Sequence, residues 1–226
     1  MSDQEGTEYD RLFYPFLFEG GKSSKEDVLA QVRHSTLEKC REVIELRRAT
    51  FEHSGERIVA AGEAMAQTFA HGATLLVFGN GGSTTDAQDL VTDLLNPSYP
   101  GWSPLPAIAL TNDIAVVTAV ANDVGFDNVY ARQVIAFGRK GDIAMGISTS
   151  GNSTNVLVAL EQAKKQGLLT VGLTGYDGGK MMRSAVVDFC INAPGDHIPR
   201  IQEAQATAYH ALLEVIHFLL KERKTI

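Results

Sequence analysis

Ala73-Thr74-Leu75-Leu76-Val77-Phe78-Gly79-Asn80-Gly81-Gly82-Ser83 joins a short, nearly continuous apolar run to a glycine-rich turn. A run of this length without alternation suits a strand buried on both faces of a parallel sheet. The stretch from Ser83 to Leu95 then has helical spacing. Outward from this unit the same alternation recurs. Strands are expected at Ala107–Thr111, Ile143–Ser148, Leu168–Thr174 and Val187–Ile191, with helices at Ile114–Ala121, Ser153–Lys165 and Arg200–Arg223. Strand–helix alternation predicts a three-layer α/β fold with a mostly parallel five-stranded sheet flanked by helices.

Upstream, Ser23-Ser24-Lys25-Glu26 reads as a helix start, and Val28, Val32, Leu37, Val43 and Ile44 space an amphipathic helix. A second helix is expected over Glu56–Ala70, ending near Gly72. Residues 1–24 read as an extension carrying the aromatic patch Leu12-Phe13-Tyr14-Pro15-Phe16-Leu17-Phe18, and residues 25–226 as a single domain. Apolar patches on a tail dock on the same chain or on a neighbouring subunit.

The chain has 226 residues, 44% hydrophobic and 21% charged, with a formal net charge of -7. These fractions exclude a disordered, collagenous or coiled-coil chain. The acidic balance argues against a nucleic-acid partner, and no apolar run is long enough to span a membrane. Cys40 and Cys190 have no zinc-like spacing and read as reduced thiols. The opening residues lack a basic and then apolar leader pattern, so a cytoplasmic location is expected.

The first turn has a partner. Ile147-Ser148-Thr149-Ser150-Gly151-Asn152-Ser153 also follows an apolar strand and opens a helix. Two such turns at the carboxyl ends of parallel strands form one crevice, where open α/β sheets bind ligands. Asn80, Gly81, Gly82 and Ser83, with the hydroxyls of Ser148, Thr149, Ser150 and Ser153, offer a phosphate site without lysine. The plainer reading is two tight turns with serine caps, Ser83 forming a capping box with Asp86. Neither Walker A nor GxGxxG is present, which disfavours nucleotide hydrolysis.

Together with Leu173-Thr174-Gly175-Tyr176-Asp177-Gly178-Gly179-Lys180 and Arg200-Ile201-Gln202-Glu203, these motifs resemble the sugar isomerase (SIS) family. Within it they are most similar to the sedoheptulose 7-phosphate isomerases, or phosphoheptose isomerases. The resemblance implies an aldose–ketose isomerase acting on a phosphorylated sugar through an enediol. It places a catalytic pair on Asp93 and His210 and a metal, often zinc, on Asp89, Asp93, Gln202 and His210. Gln202 and Asp123 would also touch substrate, and a homotetramer is implied. The family usually has His at the position of Asp89 and Glu at Asp93. Pro97 and Pro199 stand where it tends to place Arg and Asp. These departures motivate the alternative of a non-catalytic SIS module that binds a sugar phosphate or a protein.

Read from the residues alone, Asp89 and Asp93 share one helix face, and such a pair also describes a solvated acidic surface. His210, among Tyr209, Ala211, Leu212 and Leu213, also fits a core or interface histidine. His197, in the Gly/Pro loop before Arg200, is a further pocket candidate or a plain loop residue.

Overall fold

The computed structural model describes residues 25–223. The aromatic patch at residues 12–18 lies outside them. The chain divides into two compact units at Arg41/Glu42. The first helix, α1 (Lys25–Ala70), runs without a break. Two separate helices were expected here, the second over Glu56–Ala70, and Gly55 lies before it. A single glycine costs a helix only about 1 kcal/mol, and the side chains beside it, Ser54 and Ile58, are buried in the fold. Thr50 donates back to Leu46 O at 2.7 Å, and Ser54 Oγ donates to Asn192 O at 2.9 Å while accepting from Asn192 N at 3.0 Å.

Within Glu42–Ile226 the elements are β1 (Leu75–Gly79), α2 (Gly82–Leu95), β2 (Ala107–Ala109), α3 (Ile114–Asp123), α4 (Val129–Phe137), β3 (Ile143–Ser148), α5 (Thr154–Gln166), β4 (Leu169–Gly175), α6 (Gly179–Arg183), β5 (Phe189–Ala193) and α7 (Ile198–Arg223); the alternation is the expected one, with α4 and α6 added and β5 two residues later than read. The five strands form one sheet in the order β2-β1-β3-β4-β5, and every pairing is parallel. Asp177-Gly178-Gly179 makes the expected turn, with Gly178 at φ 82°, and the short α6 follows it.

Alternate strand residues feed two cores. Leu75, Val77, Ile143, Met145, Ile147, Val171, Leu173 and Ile191 pack with Ile58, Met65, Leu90, Leu94, Tyr209, Leu212 and Ile216 from α1, α2 and α7. Leu76, Phe78 and Ala144 face Tyr130, Val134, Val156 and Leu160 from α4 and α5. This is the three-layer α/β arrangement, and it explains the unbroken apolar strands, since both faces are covered. From β1 the chain goes to β2 on one side and returns to β3 on the other. The order of the sheet therefore reverses between β1 and β3, where ligand crevices form outside the carboxyl ends. Gly79 pairs with Ile147, so the two turns leave the sheet at one level.

Candidate active site

The turn after β1 is built by glycine. Gly81, at φ 57°, is the N-cap of α2, and Ser83 N donates to Asn80 O at 3.0 Å. This starts the helix one residue before Ser83, so the expected capping box does not form. Ser83 lies buried inside the first turn, and no side chain caps the helix. At the second turn Ser153 occupies the N-cap of α5 and also makes no side-chain cap bond. Its hydroxyl instead meets Ser148 Oγ at 2.9 Å, with Ser150 Oγ 3.5 Å from Ser148 Oγ. The serines are thus grouped at the crevice rather than spent on capping.

Asn80 and Asn155 tie the two turns together. Asn80 Nδ2 donates to Asn155 Oδ1 at 2.8 Å, and Asn155 Nδ2 donates to Asn80 Oδ1 at 2.9 Å. Tyr130 adds its hydroxyl to Gly79 O and to Asn80 Oδ1. The Asn80 amide therefore links the glycine turn to the start of α5 and to α4.

Gln202, in the first turns of α7, lies directly against Gly82. A β-carbon on that glycine would fall 1.9 Å from Gln202 Nε2. Seven residues of helical rise put Asp89 about 10 Å farther along α2. In this conformation Gln202 belongs with the first turn rather than with the acidic groups.

Those groups come together two helical turns on. His210 Nε2 lies 3.2 Å from Asp93 Oδ2 and 3.7 Å from Asp89 Oδ2. One donor atom from each of the three lies within 4.8 Å of the others. Asp93 therefore reaches His210 despite being a methylene shorter than glutamate. Tyr209, 2% exposed, donates its hydroxyl to Asp89 Oδ2 at 2.6 Å, and its ring centroid is 4.6 Å from that of His210. Burial, with the negative charge of Asp89, Asp86 and Asp93, pushes the Tyr209 phenol far above its ordinary range.

Asp86 completes an acidic row at i, i+3 and i+7 on α2. Burial, and secondarily the charge of Asp89, pushes its carboxyl up to about 6. Its Oδ2 is buried without a hydrogen-bond partner. Carboxylates this crowded repel unless a proton or cation relieves them. Two carboxylates and an imidazole converging from two helices therefore fit a divalent cation.

Beyond His210, a cleft of about 360 Å³ is lined by Asp93, Ser98, Tyr99, Trp102, His210, Leu213 and Glu214. Trp102 stacks on the buried His217, with centroids 4.3 Å apart and planes at 10°. Burial holds the His217 imidazole below its usual value.

Asp123 ends α3, where it is exposed and accepts from Asn122 Nδ2 at 2.8 Å. It bonds to neither turn. His197 is exposed ahead of the first residues of α7. Tyr209, Asn155 and the Tyr99–Trp102 wall are site residues that the sequence motifs do not mark, and Asp86 belongs to the acidic row rather than to a cap. The three-and-four spacing of Asp86, Asp89 and Asp93 was the available signal for the last of these.

The SIS domain family matches residues 40–175. A phosphoheptose isomerase from Nitratidesulfovibrio vulgaris (strain Miyazaki F) is 41% identical over 190 residues, covering 84% of this chain and 90% of that protein. One from Roseiflexus sp. is 42% identical over 179 residues, covering 79% and 90%. The structure of phosphoheptose isomerase from Neisseria gonorrhoeae superposes with a TM-score of 0.76 at 35% identity, covering 82% of this chain and 98% of that one. With the motifs, the parallel sheet and these likenesses in agreement, the chain belongs to the SIS domain family, among the phosphoheptose isomerases.

Proposed function

We propose that this protein is an aldose–ketose isomerase that interconverts sedoheptulose 7-phosphate and D-glycero-D-manno-heptose 7-phosphate through an enediol. The observation that carries this reading is the placement of Asp93 and His210, 3.2 Å apart, on the two helices that also carry the first turn and Gln202. A chain of seven carbons held at its phosphate end has its carbonyl end several ångströms away, where a proton-transfer pair is needed.

The phosphate is held by the Gly81–Ser83 turn and by Ser148, Thr149, Ser150 and Ser153, through hydroxyls and the free N–H groups of two helix ends. Gln202 and Asp123 are assigned to the sugar hydroxyls. Anchoring the remote end removes much of the entropic barrier to chemistry at C1 and C2. One of Asp93 and His210 takes the proton from the carbon beside the carbonyl. The other returns a proton to the neighbouring carbon, and the hydroxyl and carbonyl exchange places. Asp89, Asp93 and His210 would hold a divalent cation, zinc in this proposal, with Gln202 as the fourth donor that the resemblance implies. Such an ion supplies Lewis-acid polarisation of the substrate oxygens.

The contact between His210 and Asp93 favours catalysis over a non-catalytic module, because the shorter carboxylate still reaches its partner. Assembly as a homotetramer is part of the proposal. Its support is the largely apolar groove of about 510 Å³ lined by Val59, Tyr99, Trp102, Val215, Phe218 and Leu219 together with Glu63 and Glu214, with Phe218 63% exposed. The free thiols of Cys40 and Cys190 suit the reducing cytoplasm, where the reaction is placed. Among the described residues no helix is long and apolar enough to cross a membrane.

Proton NMR of sedoheptulose 7-phosphate with the purified protein tests the reaction. Conversion is expected, with turnover lowered about 100-fold or more in Asp93→Asn and His210→Ala. Full turnover in both variants would overturn the assignment, and binding without conversion by the unaltered protein would establish the module instead.

A further inference from the structure

We propose that Tyr209 is a positioning residue for the cation-binding group, acting through its hydroxyl on Asp89. This rests on the reading that Asp89, Asp93 and His210 hold a divalent cation.

Asp89 has a side chain 55% exposed on a helix surface. Left alone, such a carboxylate samples several rotamers, and fixing one costs entropy at the moment of binding. Tyr209 removes that freedom in advance. Its ring sits in the core with Leu212, Leu213 and Ile216, so the position of its hydroxyl is set by packing. That hydroxyl donates to Asp89 Oδ2 at 2.6 Å. A buried phenol needs a hydrogen-bond partner, and the acceptor here is a carboxylate, which makes the bond charge-assisted. The same ring lies against the imidazole of His210 at a 59° tilt. One buried side chain thus touches two of the three donors, one from each helix. Outer groups of this kind orient ligands in metal sites, and their loss costs about 10–100-fold in metal affinity.

Core packing explains the ring but not the oxygen, since phenylalanine would fill the same volume. The two roles separate in Tyr209→Phe. Isothermal titration of chelator-treated protein with Zn²⁺ alone is expected to show affinity about 10–100-fold weaker than in the unaltered protein. Adding Tyr209→Phe to Asp89→Ala is expected to change nothing further, because the hydroxyl acts through that carboxylate. Unchanged Zn²⁺ affinity in the single variant, or an equal loss in the Asp89→Ala background, would overturn the proposal. A measurement on the unaltered fold guards against a variant that misfolds. In protein carrying ¹³Cζ-labelled tyrosine, the Tyr209 resonance should shift on adding Zn²⁺, and at Zn²⁺ saturation should shift less in Asp89→Ala. Absence of that shift in the unaltered protein would count against the role. Failure of the unaltered protein to bind Zn²⁺ would overturn the cation reading itself, while Zn²⁺ binding indifferent to Tyr209→Phe would sink only the positioning role.

Discussion

Asn80 and Asn155, 75 residues apart in the chain, exchange two amide hydrogen bonds across the mouth of the sheet. Each is the other's donor and acceptor, and Asn155 is 2% exposed. The pair fixes the spacing between the glycine turn and the serine turn. Asn155→Leu would leave the Asn80 Nδ2 donor without its acceptor, at a cost of about 1–3 kcal/mol, while Tyr130 still meets Asn80 Oδ1. The spacing of the turns would relax with it. Substrate KM is expected to rise about tenfold or more with a smaller change in kcat, measured by steady-state kinetics beside a urea melt.

Gly82→Ala separates folding from function. The new methyl would collide with the amide end of Gln202, a flexible group that can swing away. Alanine also favours the helix by about 1 kcal/mol over glycine. Thermal stability should therefore hold or rise slightly, while kcat/KM falls about tenfold or more. Differential scanning fluorimetry and the NMR conversion assay read the two effects independently.

Gly151 allows no such escape. It lies at φ 62°, and a β-carbon there would stand 2.1 Å from the backbone oxygen of Gly178. Gly151→Ala must move the serine turn or the turn before α6. A loss of about 2 kcal/mol or more is expected in denaturant melts, from strain and collision together.

Asp86 gives the metal-free protein a pH signature. Its carboxyl titrates near 6 in the fold, against about 3.9 in an unfolded chain. Between those values the folded state holds more protons than the unfolded state, so stability falls as pH rises through that window. The group favours the fold below about pH 4, and this contribution is gone above about pH 6. Partial exposure reduces the effect to about 1–2 kcal/mol. With chelator present, Asp86→Asn should be more stable than the unaltered protein at pH 8 and should flatten the slope between pH 4 and 6. Urea melts across that range give the test, and identical slopes would refute it.

Donor chemistry yields another prediction. Asp89→His replaces a hard oxygen with imidazole, so the preference for Zn²⁺ over Mn²⁺ should rise. Competition titrations with the two ions measure the ratio.

β1, β3 and β4 were legible because they are buried almost along their whole length and end in glycine or serine turns. Ile143–Ser148 appears with the bounds read from the sequence. α4 was hidden for a related reason: Val129, Tyr130, Ala131, Gln133 and Val134 are all buried, so no single stripe marks a helix. The two turns and the pair Asp93–His210 were readable as motifs, but their contacts were not. Asn155 and Tyr209 act across 75 and 120 positions of sequence, and nothing local announces a hydrogen bond of that reach. The capping box failed because Gly81 adopts positive φ and begins the helix one residue early.

Gln202, Tyr209 and His210 all ride on α7, and this makes the helix a ruler with a fixed phase. Each residue turns it by about 100° and advances it by about 1.5 Å. Inserting or deleting a single amino acid between Gln202 and His210 would keep both side chains and still aim them a quarter-circle apart from their targets. Redesign of substrate choice therefore has freedom in the connection before Ile198, and almost none in the eight-residue count that follows Gln202.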